Sequence, residues 1–328
     1  MSNPFLFSTS KPGYGTIHLG VPRLRTLSYQ YPLKLVSPAP QHLHDVDSRL
    51  VQTVYLLTYG GGLVAGDTID LQVTLEPDTR LILLTQGSTK LFKSPSRSLL
   101  SKQCMTVDLT PGSALCYLPD PVQPFEHSNF EQRQVYNILP PSDGASSGSL
   151  CALDWVSNGR PANGENWSFY RYGSRSELYL GLADGKRRLL LRDNVTLDNH
   201  EDAGTIAQRM DGQAVFGTLI LHGPLFQSLG HFFMDEFKQL PRVGGRKWDS
   251  GSESGDEEVD PAAVRRAARQ RQSTLDGVLW SAASVRNCVV VKIGAREVEG
   301  GRSWLRSMLL EEGSVVKLFG ERALMCLR

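Results

Sequence analysis

Apolar residues recur at every second position in short segments along the first two thirds of the chain. In TIDLQVTL, Ile69, Leu71, Val73 and Leu75 are apolar and polar residues stand between them. This period of two is typical of a strand with one buried face. Strands are predicted in nine segments: TVYLLTY, DLQVTLE, RLILLTQ, QCMTVDL, SALCYLP, RQVYNIL, SELYLGL, RRLLLRD and AVFGTLILHG. No helices are interleaved, so this part is predicted to be all-β rather than a doubly wound parallel sheet.

Helical periodicity is confined to the last third of the chain. In GPLFQSLGHFFMDEFKQLP the apolar residues fall on one stripe, with Pro224 near the start and Pro241 at the end. A shorter helix is predicted in RSWLRSMLLEEG, where Gly313 can terminate it. We interpret both apolar stripes as parts of the core.

An acidic segment and a basic segment lie side by side between these two helices. VGGRKWDSGSESGDEEVD is polar and acidic, and the PAAVRRAARQRQ that follows is basic and helix-prone. Adjacent blocks of opposite charge can neutralise one another, and such runs are typically solvated. We therefore predict one β-rich domain formed by residues 1–241 and 275–328, interrupted by a charged, flexible insertion at 242–274. A partner-docking arm is the alternative interpretation of the insertion.

Composition excludes several classes of function. The chain has 328 residues and a net charge of +1, which provides no overall attraction to nucleic acid or to an acidic membrane surface. It begins without a secretory signal and contains no apolar run long enough to span a membrane. The five cysteines are dispersed and form no C-x-x-C pair, which favours buried thiols in a reducing compartment. The sequence therefore predicts a cytoplasmic protein.

The segment YGGGLVAGDTIDL nearly matches a phosphate-binding loop. From Gly61 the pattern is G-x-x-x-x-G, but Asp67 stands where such a loop carries lysine. A carboxylate at this position would repel phosphate, and the following residues have the period of a strand rather than of a helix. We interpret the segment as a glycine-rich connection between strands.

Two further segments carry polar side chains suited to binding. In TQGSTKLFKS, Thr85, Gln86 and Thr89 follow a buried strand, where they can line a polar cavity or cap a turn. In YLPDPVQPFEHSNFEQ, three prolines stiffen the chain and so present Glu126 from a rigid segment.

Two carboxylates lie among aromatic residues in ALDWVSNGRPANGENWSFYRYGSRSE. Asp154 and Glu165 could be interface anchors, members of buried ion pairs, or acid catalysts with raised pKa values. Paired with each other, or with Glu126, they could also form the site of a carbohydrate-cleaving enzyme. The sequence alone does not provide the separation of the carboxyl groups that this mechanism requires.

Signatures of a permanent metal site or of known catalytic motifs are absent from the sequence. The seven histidines form no H-E-x-x-H motif and no Cys/His cluster. His42, His44 and Asp45 could form a weak chelate, although a surface loop is the favoured interpretation. We predict no permanently bound metal.

Four segments together resemble the urease accessory protein UreD family, which is called UreH in some bacteria. They are GGGLVAGD, TQGSTKLFKS, LPDPVQPFEHSNFEQ and DWVSNGRPANGENWSF, in that order. The likeness is strongest over residues 53–198, and the charged insertion departs from the compact bacterial pattern, which suggests a eukaryotic-type member. The motif residues to which the resemblance assigns a structural role are Gly61, Gly62, Gly66, Lys90, Pro119, Pro121, Gly159 and Arg160.

The resemblance implies a mainly β fold, a β-helix-like stack of sheets with a few α-helices in the C-terminal third. It also implies a non-enzymatic scaffold that binds a UreF-like protein, recruits a UreG-like GTPase and docks on apo-urease. Nickel would then pass to a carbamylated lysine in urease, and this chain would hold it only in transit.

The resemblance further implies an internal, water-filled passage for nickel. Oxygen donors hold Ni²⁺ less tightly than thiolates or imidazoles and would therefore release it. The residues predicted to lie near the passage are Asp67, Thr85, Gln86, Thr89, Glu126, Asp154 and Glu165.

Large aromatic residues on a rigid scaffold are candidates for anchors of a partner interface. Those predicted are Phe125, Trp155, Trp167, Phe232 and Phe233. Two alternatives remain open at this point: a carboxylate-dependent carbohydrate-active enzyme on a β-helix, and a structural β-rich interaction module.

Overall fold

A computed structural model describes residues 11–43, 50–140, 146–182, 184–199, 204–240 and 261–328. These residues form a seven-stranded sheet, a nine-stranded sheet and a small three-stranded sheet, called here sheets A, B and C. The strands are, in chain order, β1 (Tyr14–Leu19), β2 (Leu24–Tyr29), β3 (Leu33–Val36), β4 (Gln41–His42), β5 (Leu50–Thr58), β6 (Gly62–Leu63), β7 (Thr68–Leu75), β8 (Arg80–Leu84), β9 (Lys90–Leu91), β10 (Ser101–Leu109), β11 (Ala114–Tyr117), β12 (Gln123–Pro124), β13 (Asn129–Ile138), β14 (Ser149–Ser157), β15 (Arg171–Gly181), β16 (Arg187–Asp198), β17 (Val215–His222), β18 (Leu279–Val285) and β19 (Cys288–Ala295).

The helices of the described residues lie mainly in the last third of the chain. They are α1 (Ile206–Arg209), α2 (Gln227–Lys238), α3 (Pro261–Leu275), α4 (Val298–Glu312) and α5 (Ser314–Phe319), with short 3₁₀ helices at Tyr59–Gly61, Pro161–Asn163, Pro224–Phe226 and Glu321–Leu327. None of these helices is both long enough and apolar enough to cross a membrane.

From β5 to β15 the chain winds as a coil through the three sheets in a repeating order. Each of the first three turns passes through sheets B, C and A in the sets β5–β6–β7, β8–β9–β10 and β11–β12–β13. In the fourth turn the 3₁₀ helix Pro161–Asn163 stands between β14 and β15. Strands of successive turns pair in parallel. This arrangement confirms the predicted mainly β, β-helix-like fold.

Parallel pairing is possible here without crossover helices. A parallel pair needs a long connection between its strands, and a helix usually provides it. In this chain the strands of the other two sheets form that connection. Strands outside the coil complete the large sheets. In sheet A, β1 pairs in parallel with β7 and antiparallel with β2, and β16 pairs antiparallel with β15. In sheet B, β17–β19 and β3 are added by antiparallel pairing.

The hydrophobic core has two parts, one on each side of sheet B. Between sheets A and B, side chains such as Ile17, Val107 and Tyr136 are fully buried. On the other face of sheet B, Phe233 of α2 and Leu305 of α4 belong to the second cluster. The two helices predicted from periodicity are therefore confirmed, and their apolar stripes are core.

Helix α3 is attached to the body of the protein by ion pairs. The carboxylate of Glu236, which is 7% exposed, accepts hydrogen bonds from Arg266 Nε at 2.9 Å and from Arg269. Arg265 Nε donates to Glu311 of α4 at 2.7 Å. Of the predicted insertion, residues 242–260 lie outside the described residues, and the described part is helical.

Candidate functional site

A belt of polar side chains crosses the interior between sheets A and B. On β14, Ala152, Asp154 and Val156 point towards sheet A, because alternate residues of a strand share a face. Asp154 pairs in register with Thr218, which in turn pairs with Lys292. On sheet A, Gln132 pairs in register with Gln103 and Ser174. The polar belt consists of Gln103, Gln132, Gln134, Asp154, Ser174, Ser176, Asp193, Thr218 and Lys292.

Asp154 lies at the centre of the polar belt. Its carboxylate accepts hydrogen bonds from Gln132 Nε2 at 2.6 Å and from the Ser174 hydroxyl, and Tyr172 OH lies 3.5 Å away. Burial raises the pKa of Asp154 to about 6, although the hydrogen bonds from Ser174 and Gln132 act in the opposite direction. The interior therefore holds a carboxylate that gains and loses a proton close to neutral pH.

An ion pair that the sequence analysis missed extends the polar belt. Lys292 Nζ lies 2.5 Å from Asp193 Oδ1 and donates to Thr218 Oγ1 at 2.7 Å. The Thr218 hydroxyl in turn donates to Asp193 Oδ2 at 2.9 Å. The buried hydroxyl of Ser176 has no hydrogen-bond partner among the described residues. A lysine within the otherwise apolar segment VVVKI was the signal that could have revealed this pair.

Three residues of the predicted nickel passage line one small cavity beside the belt. Thr85, Thr89 and Asp154 all face this cavity, whose volume is about 10 Å³. Such a volume has room for about one water molecule. It is thus smaller than the water-filled passage that the family resemblance implies.

Asp120, which sequence reasoning also missed, lines the same cavity. Its carboxylate accepts a hydrogen bond from the Thr85 hydroxyl at 3.2 Å, and Arg302 Nη2 lies 2.6 Å from its other oxygen. Arg302 belongs to α4, so this ion pair connects the cavity with the helices behind sheet B.

The other four predicted passage residues do not line this cavity. Glu165 is bound by Arg160 through two nitrogens and accepts the Glu126 N–H at 3.1 Å. Glu126 itself lies 2.5 Å from Lys93 Nζ. The hydrogen bond from Arg160 lowers the pKa of Glu165, and the one from Lys93 lowers the pKa of Glu126. The partly exposed Glu126 and the buried Glu165 therefore belong to one ion-pair cluster, away from the cavity.

Asp67 and Gln86 are the remaining two residues of the predicted nickel passage. Asp67 Oδ2 accepts the Val64 N–H at 3.0 Å and so closes the glycine-rich turn, whereas Gln86 is exposed. The turn leads from β6 into β7, which confirms that the segment is a connection between strands and does not enter a helix.

Several of the family-motif residues permit close approaches between turns of the coil. A Cβ atom at Gly62 would lie 2.3 Å from the Lys90 carbonyl oxygen. At Gly159, where φ is +104°, it would lie 2.6 Å from the Pro124 carbonyl oxygen. The Arg160 guanidinium lies 3.7 Å from the centroid of the Phe125 ring. These contacts give Gly62, Gly159 and Arg160 a structural role in this chain.

Most of the predicted interface aromatics lie in the interior. Phe125, Trp155, Trp167 and Phe233 are between 0% and 6% exposed, and only Phe232 is partly exposed. Trp155 Nε1 donates to the Pro119 carbonyl at 2.9 Å, so its polar group is also satisfied internally. In this structure, therefore, these four side chains pack the scaffold and do not present a surface to a partner.

The carboxylates considered for sugar cleavage lie in different settings. Asp154 points into the polar belt, whereas Glu126 is ion-paired with Lys93 and the buried Glu165 is ion-paired with Arg160. Within the described ranges, no group of three or more His, Cys, Asp or Glu side chains could hold a metal ion. His42 is exposed, and His44 and Asp45 lie outside the described residues.

Comparison with known proteins identifies the family to which this chain belongs. Residues 15–317 match the family model described as UreD urease accessory protein. Urease accessory protein 4 of Cryptococcus neoformans is 32% identical, over 94% of this chain and 93% of its own length. A Schizosaccharomyces pombe protein described as an uncharacterized urease accessory protein ureD-like is 27% identical, over 87% and 88%. Urease accessory protein D of Arabidopsis thaliana is 31% identical, over 64% of this chain and 67% of its own length.

Proposed function

Because the chain belongs to the UreD family of urease accessory proteins, we propose that it is a scaffold in urease maturation that helps to deliver nickel to apo-urease. In this role it binds a UreF-like accessory protein and a UreG-like GTPase in the cytoplasm and catalyses no reaction itself. Nucleotide chemistry belongs to the GTPase partner. The carboxylate at Asp67, in place of a phosphate-binding lysine, is consistent with this division of labour.

The observation that supports the nickel role is the oxygen-rich polar belt around Asp154. The carboxylate oxygens of Asp154 and the hydroxyl oxygen of Ser174 meet inside an otherwise apolar sandwich, where Gln132 Nε2 donates to both groups. These groups can replace part of the water shell of Ni²⁺ without the tight hold of thiolate or imidazole ligands. The ion would be cargo and not a resident cofactor.

The narrow interior favours transfer between neighbouring oxygen atoms over flow through a wide channel. The cavity at Thr85, Thr89 and Asp154 holds about one water molecule, so a hydrated ion must exchange water for protein ligands at each step. Asp154 with its pKa of about 6 is largely ionised at neutral pH and can accept the cation there. Protonation in mildly acidic solution would weaken this step.

The free state of the cysteines is consistent with a cytoplasmic location. All five thiols are unpaired. Disulfides are rare in the cytosol, where thiols stay reduced.

The proposal is tested by co-expressing Asp154→Asn with urease and the other accessory proteins. The variant should lower the nickel content of purified urease, measured by plasma mass spectrometry, while the accessory complex still co-purifies. Asp235→Asn, which removes an exposed carboxylate on α2, is the matched control and should leave nickel content unchanged. Normal nickel loading with Asp154→Asn would exclude the polar belt from the route. Normal urease activity in cells lacking this protein would refute the maturation role altogether.

A further inference from the structure

A basic groove lies between helix α2, the edge strand β16 and the turn that joins β18 to β19. Its volume is about 720 Å³. Its positively charged residues are Arg188, Lys238 and Arg286, and the imidazoles of His222 and His231 also line it. The apolar side chains of Leu190, Phe226 and Met234 also line it. The groove therefore combines an apolar floor with a rim of positive charge.

The charged side chains among the described residues of the groove all carry positive charge. None of the described residues that line it carries a carboxylate. Lys238 pairs at 2.8 Å with Asp235 outside the lining, but Arg188 and Arg286 are both exposed at the groove. Since the whole chain has a net charge of only +1, the rim concentrates positive charge at one place. A cleft with charge of one sign attracts ligands of the opposite sign.

Arg286 occupies a backbone position at which arginine is unfavourable. Its φ is +48°, and the next residue, Asn287, has a φ of +63°. Asparagine and glycine tolerate this left-handed conformation better than arginine does. The Arg286 Nη1 atom donates to the Leu189 carbonyl at 2.8 Å, which holds the guanidinium beside β16. Backbone strain at an exposed charged residue is a common feature of binding sites.

We propose that this basic groove binds an acidic segment of a partner protein. Carboxylates of the segment pair with Arg188 and Arg286, and an apolar side chain packs on the floor near Met234. Arginine suits this role because its planar guanidinium binds a carboxylate through two parallel hydrogen bonds. A nucleic acid fits less well, since Phe226 is buried and the described lining residues include no exposed Phe, Tyr or Trp ring for stacking bases. The inference goes beyond the proposed role in nickel delivery and does not depend on it.

The experiment measures fluorescence anisotropy of a labelled short peptide of alternating glutamate and leucine, titrated with the full-length protein. Arg188→Glu should weaken binding of this peptide about tenfold or more, since it replaces an attraction by a repulsion. Arg23→Glu, which makes the same change at another exposed arginine, is the matched control and should bind like the wild type. The same peptide with glutamine in place of glutamate should bind at least tenfold more weakly.

Arg286→Asn separates loss of binding from loss of folding. Asparagine is well suited to a φ of +48°, so this variant should retain the thermal stability of the wild type while binding the acidic peptide several-fold more weakly. Equal binding of the glutamine peptide would overturn the proposal, as would equal losses in Arg188→Glu and Arg23→Glu. It would also be overturned if a single-stranded oligonucleotide or anionic vesicles bound at Arg188 while the acidic peptide did not.

Discussion

Replacing Asp154 by asparagine should abolish part of the pH dependence of stability. The folded protein raises the pKa of this half-buried carboxyl from 3.8 to about 6. A proton on Asp154 is therefore bound more tightly in the folded state than in the unfolded state. The resulting stabilisation is fully present below about pH 4 and is lost as the pH rises through about 6.

The size of the effect follows from the shift in pKa. The difference between 3.8 and about 6 is roughly two pKa units, and each unit corresponds to about 1.4 kcal/mol. The free energy of unfolding of the wild type should thus fall by up to about 3 kcal/mol from this group alone between about pH 4 and pH 7. Asp154→Asn has no proton to lose there, and its amide oxygen can still accept from Gln132.

The assay is equilibrium unfolding in urea, repeated at several pH values across this range. The difference in unfolding free energy between Asp154→Asn and the wild type should increase with pH and level off above about pH 7. Ser174→Ala removes a hydroxyl that donates to the carboxylate and so should raise its pKa further, which moves the loss of stability to higher pH. Parallel pH profiles for the wild type and Asp154→Asn would show that the carboxylate is not desolvated and would refute the reasoning.

Three further predictions concern the scaffold. Gly159→Ala should cost more than about 2 kcal/mol of unfolding free energy because its Cβ would meet the Pro124 carbonyl, whereas Gly164→Ala, also left-handed but in open space, should cost about 1 kcal/mol in urea titrations; equal costs would contradict the clash. Glu236→Gln should weaken the docking of α3 and speed its cleavage in limited trypsin digestion, and an unchanged rate would refute the docking role. Burial raises the pKa of Cys288 to about 11, so iodoacetamide at pH 8 should modify the half-buried Cys104 before Cys288; mass spectrometry showing the reverse order would contradict this.

Much of the fold was accessible from local patterns. The alternation in TIDLQVTL predicted β7, and the apolar stripe before Pro241 predicted α2, because each pattern reports which face of one element is buried. The glycine-rich segment at Gly61 was also interpreted correctly, since Asp67 and the following strand period excluded a phosphate loop. Parallel pairing was less accessible, because a β-helix replaces crossover helices by strands that look locally like those of any other sheet.

The candidate site was predicted only in part. Thr85, Thr89 and Asp154 do meet at one cavity. Glu126 and Glu165 were predicted for the same passage because they are also oxygen donors, but they form ion pairs with Lys93 and Arg160 instead. The difference lies in the partners: Lys93 reaches Glu126 from the preceding turn of the coil, whereas Arg160 lies only five residues before Glu165. Similarly, Trp155 and Trp167 have the residue type of interface anchors, but their burial shows that they belong to the core.

The sequence by itself determined the strand and helix periods, the turn glycines, the low net charge and the family. Only the tertiary structure decided which polar side chains share the interior. Asp154, Asp193 and Lys292 lie on three strands that are distant in the chain, and they meet because strand register places them at one level of the sandwich. Register depends on contacts between strands, and a shift of one residue would turn each of these side chains to the opposite face. No pattern within a single segment contains that information.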